Sequence, residues 1–291
     1  MQYTPDKLSS ILDEHKKSIL SKGREGCRAD LSDADLAGVD LRGAYLRNAE
    51  LSRANLSRAD LSRAHLRGAY LRDAHLSNAD FSRVYLSEAD LTGANLSRAN
   101  FSRADLSDAD LSRAYLSGAS LSGATLNDAD LRDVNFSDAD LRDANLNGAN
   151  LSRANFCGAN LSGAHLSGAD LRDANFSGAD LRDANLNAIR EEFFAKNSQQ
   201  PEEVAGLRKL LMEGKIKGTS YEGDCSCYVG SLEKLAKEHG KECRIQRNPR
   251  SLIERWFFGI KPGDTPENNQ VSAITLEWID EWTEAFYKTK L

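Results

Sequence analysis

Apolar residues recur along the middle of the chain with a period of five. Leu or Phe occupies every fifth position from Leu31 to Leu186 without interruption, which makes 32 units. Two residues before each of them lies a small residue, which is Ala in every unit except those with Val39, Val84 and Val134. A repeat this regular predicts an architecture in which each unit buries its apolar residues against its neighbours.

The period of five decides between the regular structures that the chain could form. In a helix, which turns by about 100° per residue, apolar positions spaced two and three apart scatter around the cylinder and leave no buried stripe. A flat strand is excluded because strict alternation breaks in every unit. A coil that turns by about 90° after each unit buries both apolar residues on every side, and four units close a square of twenty residues. We therefore predict a stack of about eight coils, roughly 38 Å long at the usual strand spacing.

The unit resembles that of the pentapeptide-repeat family. Residues 54–58 (Ala-Asn-Leu-Ser-Arg) show its pattern, and the resemblance covers about 160 residues. It implies a mainly β fold, a right-handed quadrilateral parallel β-helix, or solenoid. It also implies a range of functions, since some members resemble B-DNA in shape and charge and bind type II topoisomerases such as DNA gyrase. The family thus predicts the fold more sharply than the function.

Both ends of such a stack need caps, because a bare end exposes core and unpaired backbone. Residues 5–20 predict a helix with Thr4 as N-cap and Pro5 in the first position. The chain therefore divides into an N-terminal helical cap (1–28), a repeat rod (29–188) and a C-terminal, mainly α domain (189–291). Helices are predicted there at 189–197, 201–213, 229–239 and about 271–288.

The last of these helices carries an apolar stripe at i, i+4 spacing. Its members are Ile274, Trp278, Trp282 and Phe286. We interpret the stripe as core, and the alternative is a homodimer interface. The segment from Tyr221 onward resembles domains attached to uncharacterised bacterial and phage pentapeptide-repeat proteins, and this resemblance implies no activity.

Composition changes this picture only slightly. The net charge is −6, and residues 29–188 contain sixteen arginines, no lysine and 23 acidic residues. No apolar run reaches the roughly 20 residues of a membrane span, and the N-terminus lacks the features of a signal peptide. Five cysteines, an odd number, fit a reducing compartment. We therefore expect a cytoplasmic protein that binds neither membranes nor nucleic acid directly.

The rod contains none of the common catalytic motifs, and the sequence indicates no cofactor. The C-terminal domain holds four candidate zinc ligands, Cys225, Cys227, His239 and Cys243. Their spacing matches no common zinc finger, and the alternative is a set of structural thiols in a small core. An enzymatic activity in residues 189–291 is left open.

Outward residues twenty positions apart share a column on one side of the coil, and two columns stand out. Asp90, Asp110 and Asp130 form an acidic column. On another side Tyr45, His65 and Tyr85 form an aromatic column beside Arg47 and Arg67, with Tyr70 around the corner. Exposed aromatic residues next to arginine are typical of protein interfaces. The alternative is that stacked aromatic residues only stabilise the ladder.

The sequence therefore supports two hypotheses. In the first, the protein is a non-enzymatic scaffold that binds a protein partner: the rod presents a rigid surface, with the aromatic column as its candidate interface, and the C-terminal domain docks a partner or a second copy of the chain. In the second, the acidic column mimics DNA and binds DNA gyrase or topoisomerase IV. The arginines weaken the second hypothesis, because they reduce the net charge of the rod to −7. B-DNA carries one negative charge per about 1.7 Å of its axis, which is a much higher charge density.

Overall fold

The computed structural model describes residues 4–172, 174–176, 178–199, 201–216, 228–245, 252–257, 260 and 262–288. Within these residues it contains six α-helices and a long stack of coils. The coils occupy the repeat region, and the helices lie before and after it.

The coils pair with each other through parallel bridges between residues twenty positions apart. The series begins with Asp30 and Glu50 and ends with His165 and Asn185. Backbone hydrogen bonds follow the same period, such as Leu31 N–H to the carbonyl of Glu50 at 2.8 Å. The repeat region is therefore a parallel β-helix with four units in each coil. In its described residues the ladder consists of single-residue bridges, because the chain turns every five residues and leaves one extended residue per side.

Each corner of the coil is a β-turn that starts at the buried Leu or Phe. In the first unit the N–H of Ala34 donates to the carbonyl of Leu31 at 3.2 Å. The third residue of the turn has a positive φ, as in Arg58 at 60° and Gly68 at 65°. A positive φ at this position alone is the geometry of a type II turn. The left-handed corner thus produces the 90° change of direction.

The core is a set of vertical columns of Leu, Phe and Ala. Nearly all of these side chains are at most 2% exposed. Phe81 stacks on Phe101 with ring centroids 4.8 Å apart, and Phe156 stacks between Phe136 and Phe176 at 5.1 and 5.0 Å. Each coil therefore rises by about 5 Å, as the strand spacing predicts.

The N-terminal helix α1 (Pro5–Leu20) packs against the first coil, and its bounds agree with the prediction. The hydroxyl of Thr4 accepts from the N–H of Lys7, as expected of an N-cap. Leu8 and His15 are buried, and the Nδ1 atom of His15 accepts from the N–H of Ala29 at 3.0 Å. The helix thus satisfies a backbone donor where the coil begins.

The other end of the stack is covered by the C-terminal helices. These are α2 (Asn187–Asn197), α3 (Val204–Met212), α4 (Tyr228–Glu238), α5 (Leu252–Phe257) and α6 (Gln270–Lys288). Gln270 accepts a hydrogen bond from the N–H of Leu181 on the last coil. Trp256 of α5 lies 6.5 Å from the ring of Phe176. The C-terminal region is therefore packed on the rod.

In the C-terminal region, three differences from the sequence prediction exceed a shift of one residue. Helix α2 begins two residues earlier than predicted, directly after the last repeat. The predicted 201–213 helix opens as a 3₁₀ turn (Pro201–Glu203) before α3. Helix α5 was not predicted, because its six residues are too few to show a helical period. Among the described helices, none has the length and hydropathy required to cross a membrane.

Candidate interaction surface

Tyr45, His65 and Tyr85 form a continuous aromatic stack on one side of the rod. Successive ring centroids lie 5.0 Å apart, and the ring planes differ by 13° and 10°. The three residues are joined by parallel bridges, so the stack follows the backbone ladder. Tyr85 is 50% exposed and Tyr45 is 40% exposed. We call this stack the aromatic ladder.

Two basic side chains of the N-terminal segment contact tyrosines, one in the aromatic ladder and one beside it. The Nζ atom of Lys16 is 5.1 Å from the ring centroid of Tyr45, and the guanidinium of Arg28 is 4.9 Å from that of Tyr70. Such cation–π contacts cover part of each ring. The open part of the aromatic ladder is therefore centred on His65 and Tyr85.

The two arginines beside the aromatic ladder are in different electrostatic states. Arg67 donates to Glu88 at 2.6 Å, and this hydrogen bond holds the pKa of Glu88 below its ordinary value. Arg47 is exposed, and no carboxylate of the described chain forms an ion pair with it. Arg47 is thus the cation that an incoming acidic group would meet beside the ladder.

The acidic column is bridged as predicted, but much of its charge is neutralised within the chain. Asp90 accepts from Arg72 at 2.8 Å and from the N–H of Thr92 at 3.0 Å. Burial alone would raise the pKa of Asp90, but these hydrogen bonds outweigh it and lower the pKa. Asp130 is paired with Arg132, and Asp110 accepts from the N–H of Ser112.

The proposed zinc ligands are only partly within the described residues. Cys225 and Cys227 lie outside them. His239 lies 2.8 Å from Glu203 through its Nδ1 atom, and Cys243 donates to the carbonyl of Ile245 at 3.7 Å. In the part of the chain that the structure describes, no three His, Cys, Asp or Glu side chains are grouped to hold a metal ion.

The apolar stripe of α6 packs inside the C-terminal region. Trp278 and Trp282 are 6% and 3% exposed, and the Nε1 atom of Trp282 donates to the hydroxyl of Ser198 at 3.3 Å. Ile274 and Phe286 are partly buried against the same core. These contacts are those of core side chains.

Two features were missed by the sequence reasoning. The carboxylate of Glu203 is fully buried beside His239, and nothing in the local sequence pattern indicates that pair. A groove lined by arginines and serines runs along another side of the rod. Its signal was available, because the residues that line it also recur every twenty positions.

The repeat region matches the family model described as pentapeptide repeats. The matched residues are 29–68, 69–108, 109–148 and 149–187, with eight copies of the repeat. The match covers more than half of the chain and coincides with the stacked coils. The chain belongs to the pentapeptide-repeat family. Membership implies that the observed β-helix is right-handed. No curated protein sequence matches the chain.

Several solved structures of pentapeptide-repeat proteins are similar to this member of the family. HetL from the cyanobacterium Nostoc sp. strain PCC 7120, a protein involved in heterocyst differentiation regulation, is 38% identical. The match covers 56% of this chain and 78% of HetL, with a TM-score of 0.38. QnrB1, a plasmid-mediated fluoroquinolone resistance protein, is 24% identical over 55% of this chain and 83% of its own, with a TM-score of 0.42. A pentapeptide-repeat protein of the Arabidopsis thaliana thylakoid lumen is 32% identical over 36% and 71%, with a TM-score of 0.20.

Proposed function

We propose that this protein is a non-enzymatic scaffold that binds a protein partner through the aromatic ladder. The observation that carries the proposal is a set of half-exposed tyrosines held on a regular backbone. Tyr45, Tyr70 and Tyr85 are three of the few large apolar side chains that are exposed in the described residues. Aromatic side chains of this kind supply most of the binding energy at protein interfaces.

The rigidity of the rod supports this proposal. The aromatic rings are already stacked, and the backbone beneath them is bonded to the coils above and below. Binding therefore orders few additional side chains and loses little conformational entropy. A suitable partner presents an apolar or aromatic group to His65 and Tyr85 and a carboxylate to Arg47.

A pull-down from a bacterial lysate tests this proposal. The double variant Tyr45→Ala/Tyr85→Ala is expected to lose the partner, while Tyr115→Ala retains it. Tyr115 is the matched control because it is 55% exposed and lies on a different side of the rod. Circular dichroism of all variants verifies the fold. Retention of the same partner by the double variant would contradict the proposal.

DNA mimicry is a second candidate, which the regular bridging of Asp90, Asp110 and Asp130 favours. Under this hypothesis the partner is DNA gyrase or topoisomerase IV. The hypothesis predicts inhibition of gyrase supercoiling that weakens with added salt, because the attraction is electrostatic. Replacing the three aspartates by Asn would remove that inhibition. The pairing of Asp90 with Arg72 and of Asp130 with Arg132 argues against it, because it leaves a mixed surface rather than an anionic one.

A further inference from the structure

A polar groove of about 1260 Å³ runs along a side of the rod that none of the sequence-based hypotheses used. Three arginines from successive coils line it, Arg63, Arg83 and Arg103. It is also lined by the serines one position before them in each coil and by Ser122 of the next coil. The serines are half-buried and the arginines are exposed, so the hydroxyl groups lie deeper. We call this feature the arginine groove.

The three arginines occupy equivalent backbone positions in successive coils. Arg63, Arg83 and Arg103 occupy left-handed corners with φ of 58°, 56° and 59°. They are one coil apart, which is about 5 Å according to the stacked rings of Phe81 and Phe101. Glycine occupies the same corner in the coils before and after, at Gly43 and Gly123. The row of three arginines is therefore bounded at each end by a glycine corner.

The charges in the arginine groove are not balanced within the chain. Five arginines and three aspartates line it, an excess of two positive charges in a protein whose net charge is −6. Arg42 and Arg142, at the two ends, are paired with Asp40 and Asp140 at 2.6 Å. The three central arginines form no ion pair with any described residue.

Two acidic side chains in one column of the rod, Asp60 and Asp80, accept hydrogen bonds from other groups. Asp60 accepts from the N–H of Ser62 at 3.0 Å, and its second oxygen lies 3.7 Å from Arg42. Asp80 accepts from the N–H of Ser82 at 2.8 Å and from the side chain of Asn100 at 3.0 Å. The guanidinium groups are thus left available to an external anion.

We propose that the arginine groove binds a linear chain of phosphoryl groups, supplied as inorganic polyphosphate or as the phosphate tail of a nucleotide. Guanidinium groups match phosphate oxygens through two parallel hydrogen bonds. The half-buried hydroxyls of Ser62 and Ser82 add neutral donors beneath them. A chain of phosphoryl groups lying along the rod axis contacts all three arginines at once.

The lining of the groove favours a bare phosphate chain over a nucleic acid. Its lining consists of Asp, Arg, Ser and Gly residues and includes no aromatic or large apolar side chain. Proteins that bind single-stranded nucleic acid add aromatic platforms on which the bases stack. The aromatic residues of this rod lie in other columns. The groove therefore recognises charge and hydrogen-bond acceptors without a surface for a base.

Isothermal titration of the full-length protein with medium-chain inorganic polyphosphate tests this proposal. The triple variant Arg63→Gln/Arg83→Gln/Arg103→Gln is expected to bind at least about a hundredfold more weakly, because it loses several charge-assisted hydrogen bonds. The matched control is Arg58→Gln/Arg98→Gln/Arg113→Gln. Those arginines also occupy left-handed corners, with φ of 60°, 58° and 60°, so both variants carry the same change in charge and in backbone preference. The control is expected to bind within about twofold of the unmodified protein.

Parallel titrations with ATP and with single-stranded oligothymidylate separate the sources of the phosphate. Polyphosphate binding well above that of ATP supports a free chain, and equal binding supports the phosphate tail of a nucleotide. Tighter binding of the oligonucleotide, at equal phosphate concentration, would overturn the proposal. Equal losses in the two triple variants would overturn it as well, since they would show non-specific attraction, and so would an absence of polyphosphate binding.

Discussion

At the scale of single residues, the corners of the coil carry the unusual backbone. In the part of the chain that the structure describes, eight arginines adopt a left-handed conformation at these corners, as Arg58 and Arg83 do. A side chain in this region costs about 1–2 kcal/mol relative to its ordinary conformation. Glycine would avoid that cost, and several corners do carry glycine. At the arginine corners the coil tolerates the strain and presents a charged side chain. The stacked hydrogen bonds around each corner hold this conformation in place.

Gly26 shows where the chain cannot tolerate a side chain. Its φ is +73°, and a Cβ atom there would lie 2.1 Å from the carbonyl oxygen of Glu14 in α1. We predict that Gly26→Ala displaces α1 from the first coil, because a backbone clash adds to the left-handed strain. Hydrogen exchange of the α1 amides measures this loss of protection.

Gly23→Ala is the control for that experiment. Gly23 has a φ of +80°, but a Cβ atom there would have no neighbour within 4 Å. It therefore reports the backbone strain alone, about 1–2 kcal/mol. Equal effects of the two substitutions would show that the contact with α1 is unimportant.

The pH dependence of the N-terminal cap is expected to follow His15. Burial lowers the pKa of His15 from its ordinary value of 6.5, and the charge of Arg28 adds to this effect. The neutral ring is the form whose Nδ1 atom accepts from Ala29. The docked cap therefore has its full stability above pH 6.5 and loses stability as the pH falls, because the undocked state is protonated first.

Hydrogen exchange of α1 at pH 7.5 and 5.5, corrected for the intrinsic exchange rates, measures this effect. Protection is expected to fall at the lower pH, by at most about tenfold per pH unit, the limit for one proton. His15→Gln is the control, because its amide oxygen can accept from Ala29 without titrating. The same pH dependence in this variant would exclude His15 as the cause.

At the scale of structural elements, the coil is a stack of units that contact mainly their neighbours. Phe156 illustrates this, because its ring lies between those of Phe136 and Phe176. In such an architecture the stability is approximately a sum of local terms. Damage to one coil should therefore be felt most by the adjacent coils.

Phe156→Ala tests that expectation. Removing the ring is expected to cost about 3–5 kcal/mol, through lost burial and the cavity left behind. Phe156→Leu, which restores the residue most common at this position, should cost roughly half of that or less. Hydrogen exchange should show the loss near residues 136–176 and little change around Phe81 and Phe101. A uniform loss along the rod would contradict the local picture.

The elements differ in how far the sequence could predict them. The coils follow from the uninterrupted period of Leu and Phe, and α1 follows from Thr4, Pro5 and its apolar face. Helix α5 could not be predicted, because a six-residue segment shows no period. The ion pairs of the acidic column could not be predicted from the sequence either. Asp90 pairs with Arg72 across coils, whereas Asp130 pairs with Arg132 two residues away, and these choices depend on side-chain conformation.

At the scale of the whole molecule, the rod is sealed at both ends by parts of the same chain. His15 binds a backbone donor of the first coil, and Gln270 binds one on the last coil. Ion pairs join α6 to the helices beside it, between Arg190 and Glu281 and between Arg208 and Asp280. Because both ends of the stack are covered, a partner that binds the rod binds its sides.

Photo-cross-linking from the side of the rod tests this account most directly. A benzophenone amino acid placed at position 85 of the full-length protein is expected to capture a specific partner in a bacterial lysate. The same probe at position 115 on another side, or at the exposed position 277 of α6, is expected not to capture it. Capture of that partner from position 277 and not from position 85 would contradict the account, because it would place the binding function in the C-terminal helices.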